Sequence, residues 1–400
     1  MIEGGRLATV VVPRDALEAA REPRNAESLT CAVVAYVNDI QRVGIYTGPE
    51  LPAAAMQAYH ADYYLSQVCN GGHSQFIGNT GIKMLPTTSG DALAGLKAMG
   101  ADAQYQILLE AMAWVEAHPD EAALQNGFTE RAATLKALDE RFYGAERLQP
   151  MTPLAARWIA SWSELRAVAT EQYSSEIERL AQLHPHLSQR RIWRSVRQIS
   201  FQMTDPLQIT VAAACGAVAP DPEIKLAVRS GSHMDVEGEE CLAFVVLTDK
   251  GTRICVFEET GGRLYELREP RPMPGQARMT PQNLGNFLPH VGVRLSVVGA
   301  DTIRTFTRIA EQNLAAEAID LLLRRSDLDP AGTITAIRVG DGSATWYAVT
   351  REARIVVATF GDRADVVGLD GRAALTVTRA EIERHAAEAA AGRDSMRGQS

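Results

Sequence analysis

Cysteine is scarce in this chain and badly spaced for its structural uses. Five residues, Cys31, Cys69, Cys215, Cys241 and Cys255, are spread over 400 positions without a single CxxC pair. An odd, scattered set excludes a disulfide framework and offers no paired zinc ligands, so the thiols are expected to be free and buried in a cytoplasmic protein. Lysine is rarer than its charge class suggests: Lys83, Lys97, Lys136, Lys225 and Lys250 stand among 40 basic residues. With abundant alanine, that bias points to a GC-rich bacterial genome. Long apolar runs are missing too. The longest, such as CLAFVVL, are strand-sized, whereas a membrane span needs about 18 to 20 residues, and the N-terminus meets acid and arginine before any signal-like apolar core. Positive charge is in deficit, 40 basic against 49 acidic residues for a net of -9. That balance speaks against direct nucleic-acid binding and against a polybasic membrane contact. No Walker loop, GxGxxG, GxSxG, HExxH or kinase signature occurs, so neither cofactor nor metal is expected.

What is present is a globular composition, 46% hydrophobic and 22% charged, long enough for two or three domains of about 150 residues. The pattern changes near residue 205. Before it the period is helical: in ESLTCAVVAYVNDIQRV, Leu29, Val33, Tyr36, Val37 and Ile40 recur at spacings of three and four. Helices are also expected at DALAGLKAMG, AQYQILLEAMAWVEAH and FTERAATLKALDERFY, from Pro153 to about Leu183, and from an N-cap at Ser188. LATVVV is the one strand-like exception. After residue 205, LQITVAAAC, EIKLAVRS, CLAFVVLTD, TRICVFEE, RLYELRE and VGVRLSVVG read as strands. EPRPMPGQARMTPQ reads as a loop. A single helix, capped by Asp301, is expected over DTIRTFTRIAEQNLAAEAIDLLLRRS, then four or five short strands with turns at Asp341-Gly342 and Asp370-Gly371, then a terminal helix. The expectation is a multidomain α+β protein: an all-helical N-terminal bundle over 1–205 and a β-rich, antiparallel region over 206–400. The latter divides into two candidate subdomains, 206–299 and 300–400.

The most distinctive string is AYHADYYLSQVCNGGHSQFIGNTG, residues 58–81. A helix ending in Asn-Gly-Gly can place Asn70 or Gly71 in the left-handed region and let Gly72 open the next turn. Phe76 then packs back, and Gln75 and Asn79 tie off backbone groups at the turn. This helix, followed by NGG, xxQFxxN and a further helix, resembles the DUF4375 family, related to the C-terminal domain of the DNA-mimic protein DMP19. The resemblance runs over roughly residues 26–145 and rests on Asn70, Gly71, Gly72, Gln75, Phe76 and Asn79. It implies a compact helical fold and suggests a theme, protein binding through an acidic surface that imitates the phosphates of DNA. Two positions depart from the pattern: Cys69 precedes the Asn-Gly-Gly, and His73 stands where an aromatic is common. Residues 206–400 resemble no family.

Acid is concentrated between Asp102 and Glu140, with Glu110, Glu116, Asp120 and Glu121 as the candidate interaction face. Against mimicry stands the ordinary reading, a solvated helix face, because the domain as a whole is only weakly acidic. Arg190, Arg194 and Arg197 share a helix face at i, i+4 and i+7 and suit a phosphate or an acidic partner. They suit equally well Glu164, Glu171, Glu176 and Glu178 of the preceding segment. Cys69 and His73 are a conceivable thiolate-imidazole pair, but no third orienting group is recognisable. His184-Pro185-His186 lacks a nearby carboxylate and reads as a polar loop. HMDVEGEE, from His233, reads as an acidic hairpin turn. With no coherent set of acid, base, nucleophile or metal ligands, the expected function is non-enzymatic, through contacts with an unknown protein partner. The alternative is a hydrolase-like enzyme whose site is assembled from sequence-distant residues in an interdomain cleft. Sequence does not fix the oligomeric state.

Overall fold

The computed structural model describes residues 2–3, 6–127, 131–268, 290–368 and 371–397. The chain forms two compact units, Met1–Leu187 with a few C-terminal residues, and Ser188–Ser395. The proline-rich EPRPMPGQARMTPQ segment lies outside the described residues, as do residues 128–130 and Asp370.

The first unit is helical. Its first core gathers on the helix Glu27–Gly44, whose stripe Leu29, Val33, Tyr36, Val37 and Ile40 is wholly buried, as the spacing predicts. Each of those side chains contributes about 1.5 to 3 kcal/mol by leaving water. The strand expected at LATVVV is Val10–Pro13, and it pairs in parallel with Leu165–Val168. That partner strand interrupts the stretch expected to be one helix from Pro153 to Leu183, which consists of two shorter helices, Met151–Ala160 and Tyr173–Gln182. The second core of the unit is built from the helices Ala53–Thr80, Leu85–Met99, Asp102–Ala117 and Ala133–Leu148.

The second unit begins with the helix Leu187–Thr204, whose Ile192, Val196, Ile199 and Met203 belong to the same core as the sheets that follow. Ser188 therefore lies inside the first turn rather than at the cap. Two five-stranded antiparallel meanders follow, each with neighbours in chain order. The first comprises Ala227–Val236, Glu239–Thr248, Gly251–Glu258, Gly261–Arg268 and His290–Gly299. The second comprises Thr333–Gly340, Ser343–Val349, Arg354–Thr359, Arg363–Val367 and Ala373–Thr378. Each meander has a helix before it and a helix after it: Pro206–Gly216 and Ala300–Gln312 for the first, Ala315–Arg325 and Arg379–Arg397 for the second. One continuous core takes Val246, Cys255 and Leu264 from the first sheet with Ile334, Trp346 and Val357 from the second. The α+β class with antiparallel sheets is as expected.

Three local expectations fail here for identifiable reasons. LQITVAAAC is a helix, started by Asp205, whose Oδ1 accepts from the Gln208 amide at 3.1 Å, and by Pro206 in its first turn. Every residue from Ile209 to Gly216 is buried, so no polar face exists to reveal a helical period. The expected single helix over 301–326 is two, broken where Leu314 takes φ 50°. Its start lies one residue earlier, with Gly299 as N-cap; Asp301 sits in the first turn and pairs with Arg304 instead.

Candidate functional site

The Asn-Gly-Gly motif sits in the middle of a helix. The helix Ala53–Thr80 is interrupted at Gly71 (φ -153°, ψ 16°) and Gly72 (φ 75°, ψ -176°) and resumes at His73. The expected left-handed residue, Asn70 or Gly71, is neither: positive φ falls on Gly72 alone, in a region open essentially to glycine. A Cβ on Gly72 would lie 2.2 Å from Asp139 Oδ2. The glycine is thus required twice, by its dihedral angles and by the carboxylate packed against it.

That carboxylate organises a closed polar cluster. The His73 amide donates to Asp139 Oδ1 at 2.8 Å, and the ring Nδ1 lies 2.6 Å from the same oxygen. A carboxylate accepts, so Nδ1 carries the proton and Nε2 is left as an acceptor for the Tyr64 hydroxyl at 2.9 Å. Burial pushes the Tyr64 phenol well above its usual pKa, reinforced by the charges of Asp139 and Glu146, so it stays a donor. Tyr64 and Phe142 pack against the ring, Phe142 edge-on to it, and Phe76 packs edge-on against Tyr64. Arg131 reaches the outer oxygen of Asp139 at 3.5 Å and the Gly127 carbonyl at 3.4 Å. His73 is fully buried and Asp139 is 4% exposed. The imidazole where an aromatic is common therefore keeps an aromatic's packing and finds partners for both nitrogens. The cluster offers no acid or base to a substrate; it locks the kink.

The remaining motif residues surround this lock. Phe76 is fully buried, as expected. Gln75 and Asn79 donate to the side chain of Gln67, at 3.0 and 2.7 Å, and not to the backbone groups assigned to them above. Asn70 is exposed. Cys69 is also exposed, and its thiol pKa is pushed up by partial burial and by Glu146. With both His73 nitrogens engaged, the thiolate-imidazole pair does not exist. Cys31 is exposed as well, so two of the five free thiols depart from the expected burial.

The candidate acidic face is only partly available. Glu110 is bound in a bidentate pair by Arg141, at 2.5 and 2.8 Å, which lowers the glutamate's pKa through those hydrogen bonds. Asp139, counted among the acids by sequence, is buried. Glu116, Asp120 and Glu121 are exposed and form no ion pair among the described residues. They lie along the end of Asp102–Ala117 and the short helix Pro119–Ala123, next to Leu124, which is 73% exposed. Two negative charges in the first turn of that short helix suit its N-terminal dipole.

The candidate arginine patch dissolves. Arg190 is fully buried in the second unit, donating to the Ser395 hydroxyl at 2.9 Å and its carbonyl at 2.7 Å. Arg197 lies over the Trp193 ring, 5.4 Å from its centroid. Arg194 is exposed. Glu176, one of the four glutamates offered by sequence, pairs with Arg166 and Arg179. His184 does have a carboxylate beside it: Glu50, buried and 134 residues away in the chain, accepts from its Nε2 at 3.2 Å. No local spacing reveals such a partner. No cluster of three metal-ligating residues exists among the described residues.

A second buried hub, unmarked in the sequence, lies in the other unit. Asp320 accepts from Ser195, from Arg324 Nε at 2.6 Å and from His385 Nε2 at 2.8 Å. Burial works against its charge, but the hydrogen bonds from His385, Arg324 and Ser195 outweigh it and hold the pKa below the carboxylate norm. The residue types are those of a hydrolytic triad, but the wiring is not. A nucleophilic serine gives its proton to histidine, whereas here both serine and histidine point at the aspartate.

Among the described residues no helix is long and apolar enough to cross a membrane. Residues 49–162 match the family described as DMP19-like protein, beginning and ending later than the 26–145 expected. That range contains the whole Gly72–His73–Asp139 lock and the acidic helices. Neither a curated protein nor a solved structure matches the chain.

Proposed function

We propose that the DMP19-like segment is a protein-binding module that presents the exposed carboxylates Glu116, Asp120 and Glu121 around Leu124 to a basic partner, such as a DNA-binding protein. The observation that carries this reading is the coincidence of the family match with an exposed acidic surface whose members pair with no cation among the described residues. Kinship with DUF4375 is part of the same proposal. The lock at Gly72 contributes by fixing the helices behind that surface, and a rigid acidic face binds with less ordering cost. Both buried His–Asp constellations are sealed from solvent, which favours a binding role over the hydrolase alternative.

The test begins with the full chain immobilised and bacterial lysate passed over it at low salt. A retained basic protein is then titrated against the native chain and against the triple variant Glu116→Lys, Asp120→Lys, Glu121→Lys. On this reading the affinity falls at least about tenfold in the variant and steeply with salt, because exposed charges govern encounter and specificity. The fold survives, since such charges contribute little to stability. Glu110 is left unchanged because its reversal would break the Arg141 pair. Unchanged affinity in the triple variant would remove the acidic face from the account.

A further inference from the structure

The helical unit also holds a cleft of about 460 Å³ built from four separate pieces of chain: the strand Arg6–Leu7, the helix Glu27–Gly44, the turn Gly48–Glu50 leading into Ala53–Thr80, and the helix Leu85–Met99. Leu51, Met56 and Met84 give it an apolar lining. Into the same space come Arg6, Gln41, His60 and Thr87. Arg6 forms no ion pair, and neither Gln41 nor Thr87 makes a side-chain hydrogen bond, among the described residues. His60 is committed at one nitrogen only: Nδ1 lies 2.8 Å from Asp91 Oδ2, which places the ring proton there and leaves Nε2 without a protein partner among the described residues. Tyr59 holds the adjacent wall, its ring edge-on to His60 and its hydroxyl donating to Asn38 at 3.1 Å.

We propose that this cleft is a binding site for a small organic phosphate, an apolar body seated on Leu51, Met56 and Met84 with its phosphate against Arg6 and His60. Ligand sites are concave and mostly apolar, with a few convergent polar groups that fix orientation, and this cleft has that composition. A guanidinium binds an oxyanion in a planar, bidentate manner. The carboxylate of Asp91 acts as an orienting group: it sets the His60 ring so that Nε2 is the atom offered to the ligand, where it accepts from the one hydroxyl of the phosphate monoanion. Gln41 and Thr87 supply further neutral contacts. The site lies apart in sequence from Glu116, Asp120 and Glu121, and its test does not depend on the partner-binding reading.

The experiment is calorimetric titration of the full chain with phenyl phosphate, inorganic phosphate and benzyl alcohol in turn. Phenyl phosphate is expected to bind saturably, inorganic phosphate at least about tenfold more weakly, and benzyl alcohol not measurably, a charge-assisted hydrogen bond being worth about tenfold or more. Arg6→Gln and His60→Gln should each weaken phenyl phosphate at least about tenfold by the same reasoning. Lys83→Gln, which removes a nearby exposed cation outside the cleft, should leave binding unchanged. Thermal melts matching the native chain establish that each variant is folded, and Arg6→Lys, which keeps the charge and loses the fork, should bind with intermediate affinity. Absence of saturable heat with phenyl phosphate overturns the proposal. So does equal affinity for inorganic phosphate, or indifference to both Arg6→Gln and His60→Gln.

Discussion

Replacing Gly72 with alanine adds one methyl group, yet it should be among the costliest small substitutions in the helical unit. The first penalty is conformational: φ 75° with ψ -176° is a region that non-glycine residues occupy at about 1 to 3 kcal/mol. The second is steric. The new Cβ would stand 2.2, 2.7 and 2.8 Å from the three carboxyl atoms of Asp139, closer than any real contact, so the carboxylate must retreat. Retreat loosens its bonds to the His73 amide and ring, and a buried donor left without a partner costs about 1 to 3 kcal/mol. Together the loss is about 2 to 6 kcal/mol. Gly71→Ala is the internal control. Its φ of -153° lies outside the left-handed region, and its Cβ meets Gln75: the amide end can swing away at the expense of the bond to Gln67, about 1 kcal/mol, while the Gln75 Cβ at 2.8 Å needs a small backbone shift besides. Urea unfolding of the full chain, followed by hydrogen exchange of peptides within 60–80 and 133–148, reads the loss where it occurs. The reasoning is refuted if Gly72→Ala stays within about 0.5 kcal/mol of the native chain, the range of an indifferent surface change, or unfolds later than Gly71→Ala.

Further outcomes follow from the same packing. Asp139→Leu should destabilise the helical unit by about 3 kcal/mol, whereas Asp139→Asn, which keeps an acceptor for His73, should cost less; denaturant midpoints separate them. In the native chain Cys31 and Cys69 should alkylate with iodoacetamide, and more slowly near neutral pH than a free thiol, because burial and nearby carboxylates raise both pKa values. Cys255, pushed up to about 12 by burial, should stay unlabelled until the second unit unfolds, as mass spectrometry of the labelled chain would show. The Asp320 hub should give the second unit an acid sensitivity. A carboxylate depressed in the folded state contributes fully above its unfolded pKa, about 3.9, and its contribution fades as pH falls through the lower folded value. Asp320→Asn should remove that fade below about pH 4 in melting curves recorded from pH 7 downward.

The residues that were legible from sequence share one property: their signal is local. The stripe from Leu29 to Ile40 is a period, and the strands CLAFVVLTD and ATWYAVTR are alternating or β-branched runs between turns, so burial follows from spacing alone. Pro206–Gly216 was misread because its surroundings are apolar on all sides and erase the period, although Asp205 and Pro206 carried the start signal. Leu314 breaks a helix with a residue type that gives no warning. At the candidate site, the glycines were visible and their reason was not: Asp139 lies 66 residues from His73, and only the fold brings them to 2.6 Å. The arginine face failed in the same way, since Arg190 finds Ser395, 205 positions away. The acidic face was visible as composition, but sequence could not tell Glu110, already paired, from Glu116, Asp120 and Glu121.

The central claim is that those three carboxylates form a binding face. Its most direct measurement is the salt dependence of partner affinity for the native chain and the Glu116→Lys, Asp120→Lys, Glu121→Lys variant, with duplex DNA added as competitor. The account predicts an affinity that falls steeply with salt in the native chain, is displaced by DNA, and drops at least about tenfold in the variant with the melting curve intact. An affinity equal in both chains, indifferent to salt and to DNA, would contradict it.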